Sequence, residues 1–469
     1  MPRSLATTPN KLAIGGALAL AAAMGIGRFV YTPILPFMSD ALSLAGSEAG
    51  LIASANFLGY LIGALAASAG GLPGSQRLWF LSALAVSAAT SFAMGLTESL
   101  QSFLALRFVS GIASAFTLVF ASALVLEKLV ASGRSGLSAL HFAGVGSGIA
   151  GSAVLIAILS ASGATWQSLW FAAGLATLVL LGGAAMLVPG GEEEVAPTSA
   201  KPTTATIKRA APEPKLLRLI LAYGLFGFGY VVTATFISVI AKSDPALSGL
   251  AEAVWLIVGL AAAPSILLWN RIALRLGAAK AFSLACLVEA VGVALSVTGG
   301  LFSMVMGAAL LGATFMGITA LGLMDARQLT KGDPRRILAI MTASFGLGQM
   351  VGPWLAGALH DVTGNFAAAS YAAAGALVIA AFLGYQGREH VSKGGRETVS
   401  DDNMNGDKRD KIDGWPELRE QLLAEGKAEL VEAIDVLIRD SRRLEAAEAL
   451  RELAQEPGLT KGPDTKTVH

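Results

Sequence analysis

Two arginines lie deep inside the long apolar runs of this sequence. Arg28 lies in the first run and Arg107 in the fourth, and the acidic residues of the first half all fall near the ends of runs. An ionisable group in hydrocarbon costs at least about 2.5–3.5 kcal/mol, so the groups present there are usually functional. A guanidinium is always charged, and its fork of donors matches the two oxygens of a carboxylate. We therefore predict that Arg28 binds a carboxylate or similar anionic group of a ligand, with Arg107 as a second candidate.

Structural explanations of Arg28 stay open at this point. Its charge can pair with Glu289 or with backbone carbonyls, or its side chain can extend outward to the membrane interface. Glu289 is itself the one acid well inside an apolar run. It is a candidate carrier of a coupled proton, and the alternative is a neutral acid that is hydrogen-bonded between helices.

Two further titratable residues are candidates for proton coupling. His141 lies near the start of the fifth apolar run, where a packing histidine is the more common case. Asp325 lies at the end of the tenth run, two residues before Arg327. The simplest prediction for Asp325 is a salt bridge with Arg327 at a gate, and a direct role in coupling is the alternative.

Uncharged polar residues complete the predicted binding site. Tyr31, Tyr230 and Gln349 lie in runs that should border a central cavity, although each alone is more often an interhelical hydrogen bond. Small residues and prolines in the same runs let helices pack closely or bend. The positions predicted for packing or hinge motion are Gly25, Gly27, Gly111, Gly348, Gly352 and Pro353.

The composition is that of a protein embedded in a membrane. Of 469 residues, 54% are hydrophobic and only 14% are charged, and the mean hydropathy is +0.63. Soluble domains carry roughly 25% charged residues. The apolar surface of this chain is too large for a water-soluble globule to cover. The single cysteine, Cys286, excludes an internal disulfide framework.

Twelve apolar runs are long enough to cross a bilayer, since a spanning helix needs about 20 apolar residues. We predict an all-α integral membrane protein with two sets of six transmembrane helices. The spans are predicted at about 12–38, 49–70, 78–97, 100–127, 136–161, 167–188, 216–241, 249–270, 279–298, 301–326, 335–360 and 366–386.

Charge predicts the domain order and the orientation. Residues 1–188 form the first predicted bundle, 189–215 a Pro- and Thr-rich linker, 216–386 the second bundle and 387–469 a hydrophilic tail. With both termini in the cytoplasm, the inner loops hold nearly all the loop Lys and Arg, and the outer loops hold only Lys242. This bias agrees with the positive-inside rule.

The two predicted bundles repeat each other at an offset of 201–202 residues. The segment Gly25-Ile-Gly-Arg28 aligns with Gly227-Phe-Gly-Tyr230, and Gly111 aligns with Gly312. Gly144-Val-Gly146 aligns with Gly346-Leu-Gly348. Two related six-helix halves place a binding site near the midplane between them.

The first run contains the segment Gly25-Ile-Gly-Arg-Phe-Val-Tyr-Thr-Pro-Ile-Leu-Pro36. This segment resembles the opening signature of the YbfB/YjiJ-type branch of the major facilitator superfamily. Arg107-Phe-Val-Ser-Gly111 and Gly348-Gln-Met-Val-Gly-Pro353 resemble that superfamily's motifs on helix 4 and helix 11. The resemblance covers about residues 12–386. It implies a transporter fold in which helices 1 and 4 line the central cavity.

The chain departs from the superfamily in two loops. The segment after the second span, Gly70-Gly-Leu-Pro-Gly-Ser-Gln-Arg77, lacks the acidic residue that the superfamily carries there. The loop after the eighth span, Asn270 to Gly277, lacks it too. The charge network that usually holds the cytoplasmic gate is therefore not expected.

The resemblance implies a secondary active transporter that moves a small solute across the bacterial inner membrane by alternating access, and Arg28 adds the expectation that this solute is anionic. The alternative is a transporter-like membrane sensor that signals through its tail, where amphipathic helices are predicted that could bind a partner or self-associate. The expected partners are the solute, the lipid bilayer and protons. No enzyme activity, cofactor, metal site or nucleic-acid binding is expected, because no clustered His, Asp or Glu, phosphate loop or basic patch occurs.

Overall fold

A computed structural model of the chain describes residues 8–69, 72–189, 214–330, 334–385 and 420. These residues form helices joined by short turns. The predicted linker at 189–215, apart from its ends, and the predicted tail at 387–469, apart from Glu420, lie outside the described residues. The chain divides into two units, 1–389 and 390–469. The helices in chain order are α1 Pro9–Leu42, α2 Gly46–Ser68, α3 Gln76–Met94, α4 Leu100–Ala131, α5 Ser138–Ala161, α6 Trp166–Leu187, α7 Pro214–Ser243, α8 Ala251–Ala262 with Ser265–Leu276, α9 Ala278–Leu295, α10 Leu301–Leu329, α11 Pro334–Thr363 and α12 Ala367–Gly384.

These helices confirm the predicted all-α membrane fold. Within the described residues, eleven helices are long and apolar enough to cross a membrane, and the bent pair in α8 makes a twelfth. The two parts of α8 meet at an angle of 44°. Pro264 lies at this bend. A proline has no N–H to donate and its ring crowds the preceding turn, so it interrupts the helix there. Ser265 fixes the second part by donating to the carbonyl of Ala313 in α10 at 2.8 Å.

Glycines let the helices of each half approach to backbone contact. A Cβ at Gly25 of α1 would lie 2.5 Å from the Cα of Gly148 in α5, and one at Gly111 of α4 would lie 2.0 Å from the carbonyl oxygen of Asn56 in α2. The second half repeats the pattern, since Gly312 of α10 faces a carbonyl of α8 in the same way. Close approach of this kind replaces the hydrophobic force that helices lack in lipid.

Helices α5 and α11 each carry two glycines, one that packs within its own half and one that packs on the other half, and the order of the two is reversed between the helices. Gly144 packs on Ala17 of α1 within its own half, while Gly146 packs on the backbone of α8 in the other half. In α11, Gly348 packs on α7 within its own half, and Gly346 faces α2 in the other half. Each glycine pair therefore joins one helix to both halves of the molecule.

We call the end of the bundle that carries residues 43–45, 95–99, 162–165 and 244–250 the distal end, and the opposite end the terminal end. At the distal end, helices of the two halves pack closely. A Cβ at Gly50 of α2 would lie 2.1 Å from the carbonyl oxygen of Pro353 in α11, and Gly357 of α11 approaches Gly46 of α2 equally closely. The predicted hinge residue Pro353 thus lies at a contact between the halves.

Two polar contacts also join the halves at the distal end. The Asp361 carboxylate of α11 accepts from the backbone N–H groups of Gly46 at 2.7 Å and Ser47 at 2.9 Å. These donors open α2, so the carboxylate caps a helix N-terminus, where negative charge is favoured. Lys242 of α7 forms a salt bridge of 2.8 Å with Asp40 of α1. We refer to these two interactions as the distal contacts.

Candidate functional site

Helix α1 is interrupted in the middle of the bundle. An α-helical segment, Pro9–Leu20, is followed by a π-helical turn, Ala21–Ile26, and the α-helix resumes at Tyr31. Pro33 cannot donate to the carbonyl of Phe29, which instead accepts from Thr32 N at 3.2 Å. The carbonyl of Arg28 thereby loses the partner that an uninterrupted helix would give it. Such π-bulges often mark functional positions.

Arg107 of α4 fills this interruption. Its Nη1 donates to the carbonyl of Gly27 at 3.0 Å, and its Nη2 donates to the carbonyl of Arg28 at 2.8 Å. The Oγ of Ser110 also donates to Gly27 at 3.2 Å. Arg107 is in turn held by Asn56, whose Nδ2 donates to the Arg107 carbonyl at 3.0 Å. Two of the three guanidinium nitrogens are thus engaged by the backbone of α1.

The predicted residues Gly27 and Tyr31 lie on either side of the same interruption. A Cβ at Gly27 would lie 2.2 Å from the Oγ of Ser87 in α3, so this close approach needs glycine. The Tyr31 hydroxyl donates to the carbonyl of Ala49 in α2 at 2.8 Å. The guanidinium of Arg107 lies 5.2 Å from the Tyr31 ring centre. Tyr31 therefore braces α1 against α2 and α4.

The Arg28 side chain is in a different situation. It is 3% exposed, and among the described residues its Nε and Nη2 have no hydrogen-bond partner. Its guanidinium lies 4.2 Å from the ring centre of Tyr60 and 4.6 Å from that of Phe57, both on α2. Cation–π contacts of this kind return about 0.5–2 kcal/mol each. The effective penalty of taking one ion out of water is several kcal/mol, so the rings do not replace an anionic partner.

A small cavity lies beside Arg28, between the two halves. Its free volume is about 10 Å³, roughly what one water molecule needs. Thr32 of α1 crosses it to donate to the carbonyl of Ala234 in α7 at 2.8 Å. Positions 32 and 234 are 202 apart, which is the offset of the sequence repeat, so equivalent residues of the two halves meet here. The lining residues are Arg28, Phe29, Tyr31, Thr32, Ala53, Phe57, Arg107, Ala234 and Thr235.

Tyr230, the residue of α7 that aligns with Arg28, approaches the centre from the other half. Gln349 of α11 donates through Nε2 to the Tyr230 hydroxyl, and its Oε1 has no hydrogen-bond partner among the described residues. Both residues are buried. The remaining hinge residues hold this pair, since Gly348 packs on Gly224 and Gly352 on Val231 of α7.

The proton-coupling candidates lie in three separate places. Glu289 of α9 is fully buried, and neither carboxyl oxygen has a hydrogen-bond partner among the described residues. It therefore forms no ion pair with Arg28. His141 of α5 is also fully buried, packs against Gly16 of α1 and lies 3.4 Å from the Oγ of Ser122. Its surroundings are those of a packing histidine.

The predicted salt bridge between Asp325 and Arg327 is wrong. Asp325 is 5% exposed, whereas Arg327 is exposed on another face of α10, and the two do not form an ion pair. Residues two apart on a helix do not face each other, so this spacing was unsuited to a salt bridge. The Oδ2 of Asp325 has no hydrogen-bond partner among the described residues.

Several residues of the site were not predicted. Phe57 and Tyr60 hold the Arg28 guanidinium, and Trp255 of α8 reaches the centre, where its ring lies 6.4 Å from that of Phe29. Asp361 closes the distal end. These residues have the same types as ordinary core and helix-end residues, so nothing in the sequence alone distinguishes them.

A larger cavity of about 330 Å³ opens at the distal end of the second half alone. It lies among the α7–α8, α9–α10 and α11–α12 turns and is lined by Asp244, His360, Asn365 and Phe366 together with apolar residues. None of the predicted site residues lines it.

Comparison with known proteins agrees with this architecture. Residues 20–384 match the family described as the uncharacterised MFS-type transporter YbfB. A curated relative is the uncharacterised MFS-type transporter YceJ of Bacillus subtilis strain 168, with 26% identity over 365 residues, 74% of this chain and 88% of YceJ.

Solved structures share the fold at low sequence identity. A crystal structure of a mutant of the nucleoside transporter NupG aligns with a TM-score of 0.64 at 14% identity and covers 80% of this chain and 98% of NupG. A bacterial homologue of the human lysosomal transporter Spinster, in an inward-facing and occupied conformation, aligns with a TM-score of 0.59 at 15% identity and covers 80% of this chain and 96% of that one. This likeness shows that the chain shares the fold of these transporters.

Proposed function

Because this chain belongs to the YbfB-type family of major facilitator transporters, we propose that it is a secondary active transporter that moves a small carboxylate-bearing solute by alternating access. Arg28 binds the carboxylate at the centre of the bundle. The family and fold are those of membrane transporters, and the anionic solute is the part that this proposal adds.

The observation that carries the proposal is the guanidinium of Arg28, whose Nε and Nη2 have no hydrogen-bond partner among the described residues. It is buried between the halves, it lines the central cavity, and no carboxylate among the described residues lies within ion-pair distance. A solute carboxylate would supply the missing charge and acceptors for Nε and Nη2. Charge-assisted hydrogen bonds of this type are worth about 1.5–3 kcal/mol each.

The two arginines have different parts in this proposal. Arg107 is a positioning residue, because its Nη atoms are occupied by the carbonyls of Gly27 and Arg28. It holds open the interruption in α1 from which the Arg28 side chain reaches the cavity. Its Nε has no hydrogen-bond partner among the described residues, which leaves one donor for a ligand.

Alternating access requires the contacts between the halves to form and break. The cavity beside Arg28 is too small for a solute in this conformation, so the halves must separate for binding. The distal contacts, Asp361 with the start of α2 and Lys242 with Asp40, are the interactions that opening at the distal end would break. Thr32 and Ala234 would separate with them.

Orientation follows from the loop charges. We place both termini in the cytoplasm and the distal end at the outer face of the bacterial inner membrane, because the inner loops then carry nearly all the Lys and Arg. In this orientation the described conformation is closed to the outside. The tail at 387–469 would lie in the cytoplasm, where it could bind a partner or self-associate.

Proton coupling through Glu289 is the proposed source of energy. The residue is buried between α9 and α10 without a cationic partner among the described residues, and a carboxylate in such a place is costly. When Glu289 gains or loses a proton, its charge changes, and the packing of the second half would change with it. His141 and Asp325 stay secondary candidates.

Uptake into membrane vesicles tests the proposal. A panel of radiolabelled carboxylates, with uncharged amides as controls, is offered to vesicles that contain the full chain or its Arg28→Ala and Arg28→Lys variants. Uptake of at least one carboxylate should be lost in Arg28→Ala and reduced in Arg28→Lys, because an ammonium cannot bond two oxygens in a fork. Transport that is unaffected by both substitutions contradicts the proposal.

A further inference from the structure

Aromatic rings from both halves surround the predicted carboxylate site. On the first half, Phe57 and Tyr60 lie against the Arg28 guanidinium, and Phe29 is the next residue along α1. Phe29 meets Trp255 of α8 at 6.4 Å and Phe315 of α10 at 6.2 Å between ring centres. These two pairs join the halves through rings beside the cavity.

The rings continue into the second half as a parallel stack. Tyr230 and Phe315 have ring centres 5.7 Å apart and planes within 6°. Tyr230 and Phe345 are 5.8 Å apart with planes within 4°. Offset parallel stacking is a favourable arrangement of aromatic rings. Tyr230 is thus flanked by parallel rings, and Phe315 is the ring of this stack that contacts Phe29.

Aromatic residues make up only 7% of this chain, so their concentration around one buried guanidinium needs an explanation. Aliphatic packing would fill the space as well. Phe29 meets Phe315 nearly edge-on, at an interplanar angle of 73°. When the halves separate, Phe29 leaves with α1, and Trp255 and Phe315 lose the ring that covers them. A solute ring can take its place.

Three polar residues of the cavity lining, Tyr31, Thr32 and Arg107, already donate to backbone carbonyls. The Trp255 Nε1 and the Gln349 Oε1 are buried and have no hydrogen-bond partner among the described residues. Together with Arg28 they can satisfy a carboxylate and one further polar substituent. A polyol or a sugar acid would bring several hydroxyls, and each one buried without a partner costs free energy.

We propose that the transported solute is an aromatic monocarboxylate, with its carboxylate on Arg28 and its ring against Trp255 and Phe315. This inference rests on the proposed function, because it takes Arg28 as the anion site. It adds the class of the remaining part of the solute and names Trp255 and Phe315 as residues that determine specificity.

Binding of radiolabelled benzoate to the purified full chain, in competition with cyclohexanecarboxylate, tests the inference. Both anions are ionised at neutral pH and have similar size, but only benzoate is flat and aromatic. Benzoate should bind about tenfold more tightly, the factor expected from one or two ring–ring contacts. Phe315→Leu and Trp255→Leu should each reduce this preference to roughly twofold or less. The control is Phe103→Leu, which should keep the full preference. Phe103 is equally buried but does not line the cavity, and its ring centre lies 6.0 Å from that of Trp166.

The outcomes separate the inference from the function on which it rests. If cyclohexanecarboxylate or hexanoate binds as tightly as benzoate and Arg28→Ala abolishes that binding, the aromatic class is wrong and the carboxylate site stands. If no carboxylate binds, or if binding is unchanged in Arg28→Ala, both fail. If Phe315→Leu does not yield a monodisperse protein, Trp255→Leu gives the same comparison from α8.

Discussion

Replacing Arg107 by alanine should destabilise the protein more than it alters solute recognition. The substitution removes two charge-assisted hydrogen bonds, to the carbonyls of Gly27 and Arg28. At about 1.5–3 kcal/mol each, they amount to roughly 3–6 kcal/mol. The buried guanidinium also carries a desolvation penalty that alanine relieves, which lowers the expected loss to about 2–4 kcal/mol.

Thermal unfolding of the purified chain in detergent measures this effect, with Ser110→Ala as the matched control. Ser110 donates a single neutral bond to the same Gly27 carbonyl, so its loss should cost about 1 kcal/mol. Arg107→Lys should fall between the two, because an ammonium can reach one carbonyl but not bridge both. An Arg107→Ala protein as stable as the wild type, yet unable to bind the solute, would refute the positioning role and favour direct contact of Arg107 with the solute.

Three further predictions follow from the packing and the distal contacts. Asp361→Asn should weaken the capping of α2 by about 1 kcal/mol. Maleimide added from outside should then label a Thr32→Cys reporter roughly fivefold faster. An unchanged labelling rate would contradict opening at the distal end. Gly111→Ala places a Cβ 2.0 Å from a backbone oxygen and should lower stability by about 1–3 kcal/mol. Gly151→Ala is the control, because a Cβ there has no atom within 4 Å, and it should leave stability unchanged. Equal effects of the two substitutions would argue against close packing at Gly111. Glu289→Gln should abolish uptake driven by an imposed pH gradient while solute exchange without a gradient persists, and gradient-driven uptake in this variant would exclude Glu289 as the proton carrier.

Hydropathy and charge predicted the fold because a bilayer imposes both. A helix that crosses hydrocarbon must be apolar over about 20 residues, so the spans are visible without any knowledge of their contacts. The predicted ends of the spans were less exact, since α1 runs from Pro9 to Leu42, beyond the predicted 12–38. Helix ends extend past the hydrocarbon, where hydropathy carries no signal.

The roles of the two arginines could not be separated from the sequence. Both lie deep in apolar runs, and depth was the only criterion available. The difference lies in the break of α1, where Pro33 leaves Phe29 bonded to Thr32 and frees the Arg28 carbonyl. Pro33 is visible in the sequence, but which distant donor uses the freed carbonyl depends on how α4 packs against α1.

Contacts between the halves were beyond prediction for a related reason. Asp361 and Gly46 are 315 residues apart, and one sequence holds no record of which distant residues meet. The aromatic stack was also invisible, because Phe315 and Phe345 have the same types as core residues anywhere. The repeat offset did carry information, since it aligned Arg28 with Tyr230, and both residues are buried in the structure.

Discrimination between a carboxylate and its amide most directly tests the central claim that Arg28 recognises an anion. Binding of benzoate and benzamide to the wild type and to Arg28→Ala gives four affinities. We predict that the wild type prefers benzoate by about 100-fold, the equivalent of roughly 2.7 kcal/mol, and that Arg28→Ala binds the two alike. An Arg28→Ala protein that keeps the wild-type preference would show that the anion is recognised elsewhere.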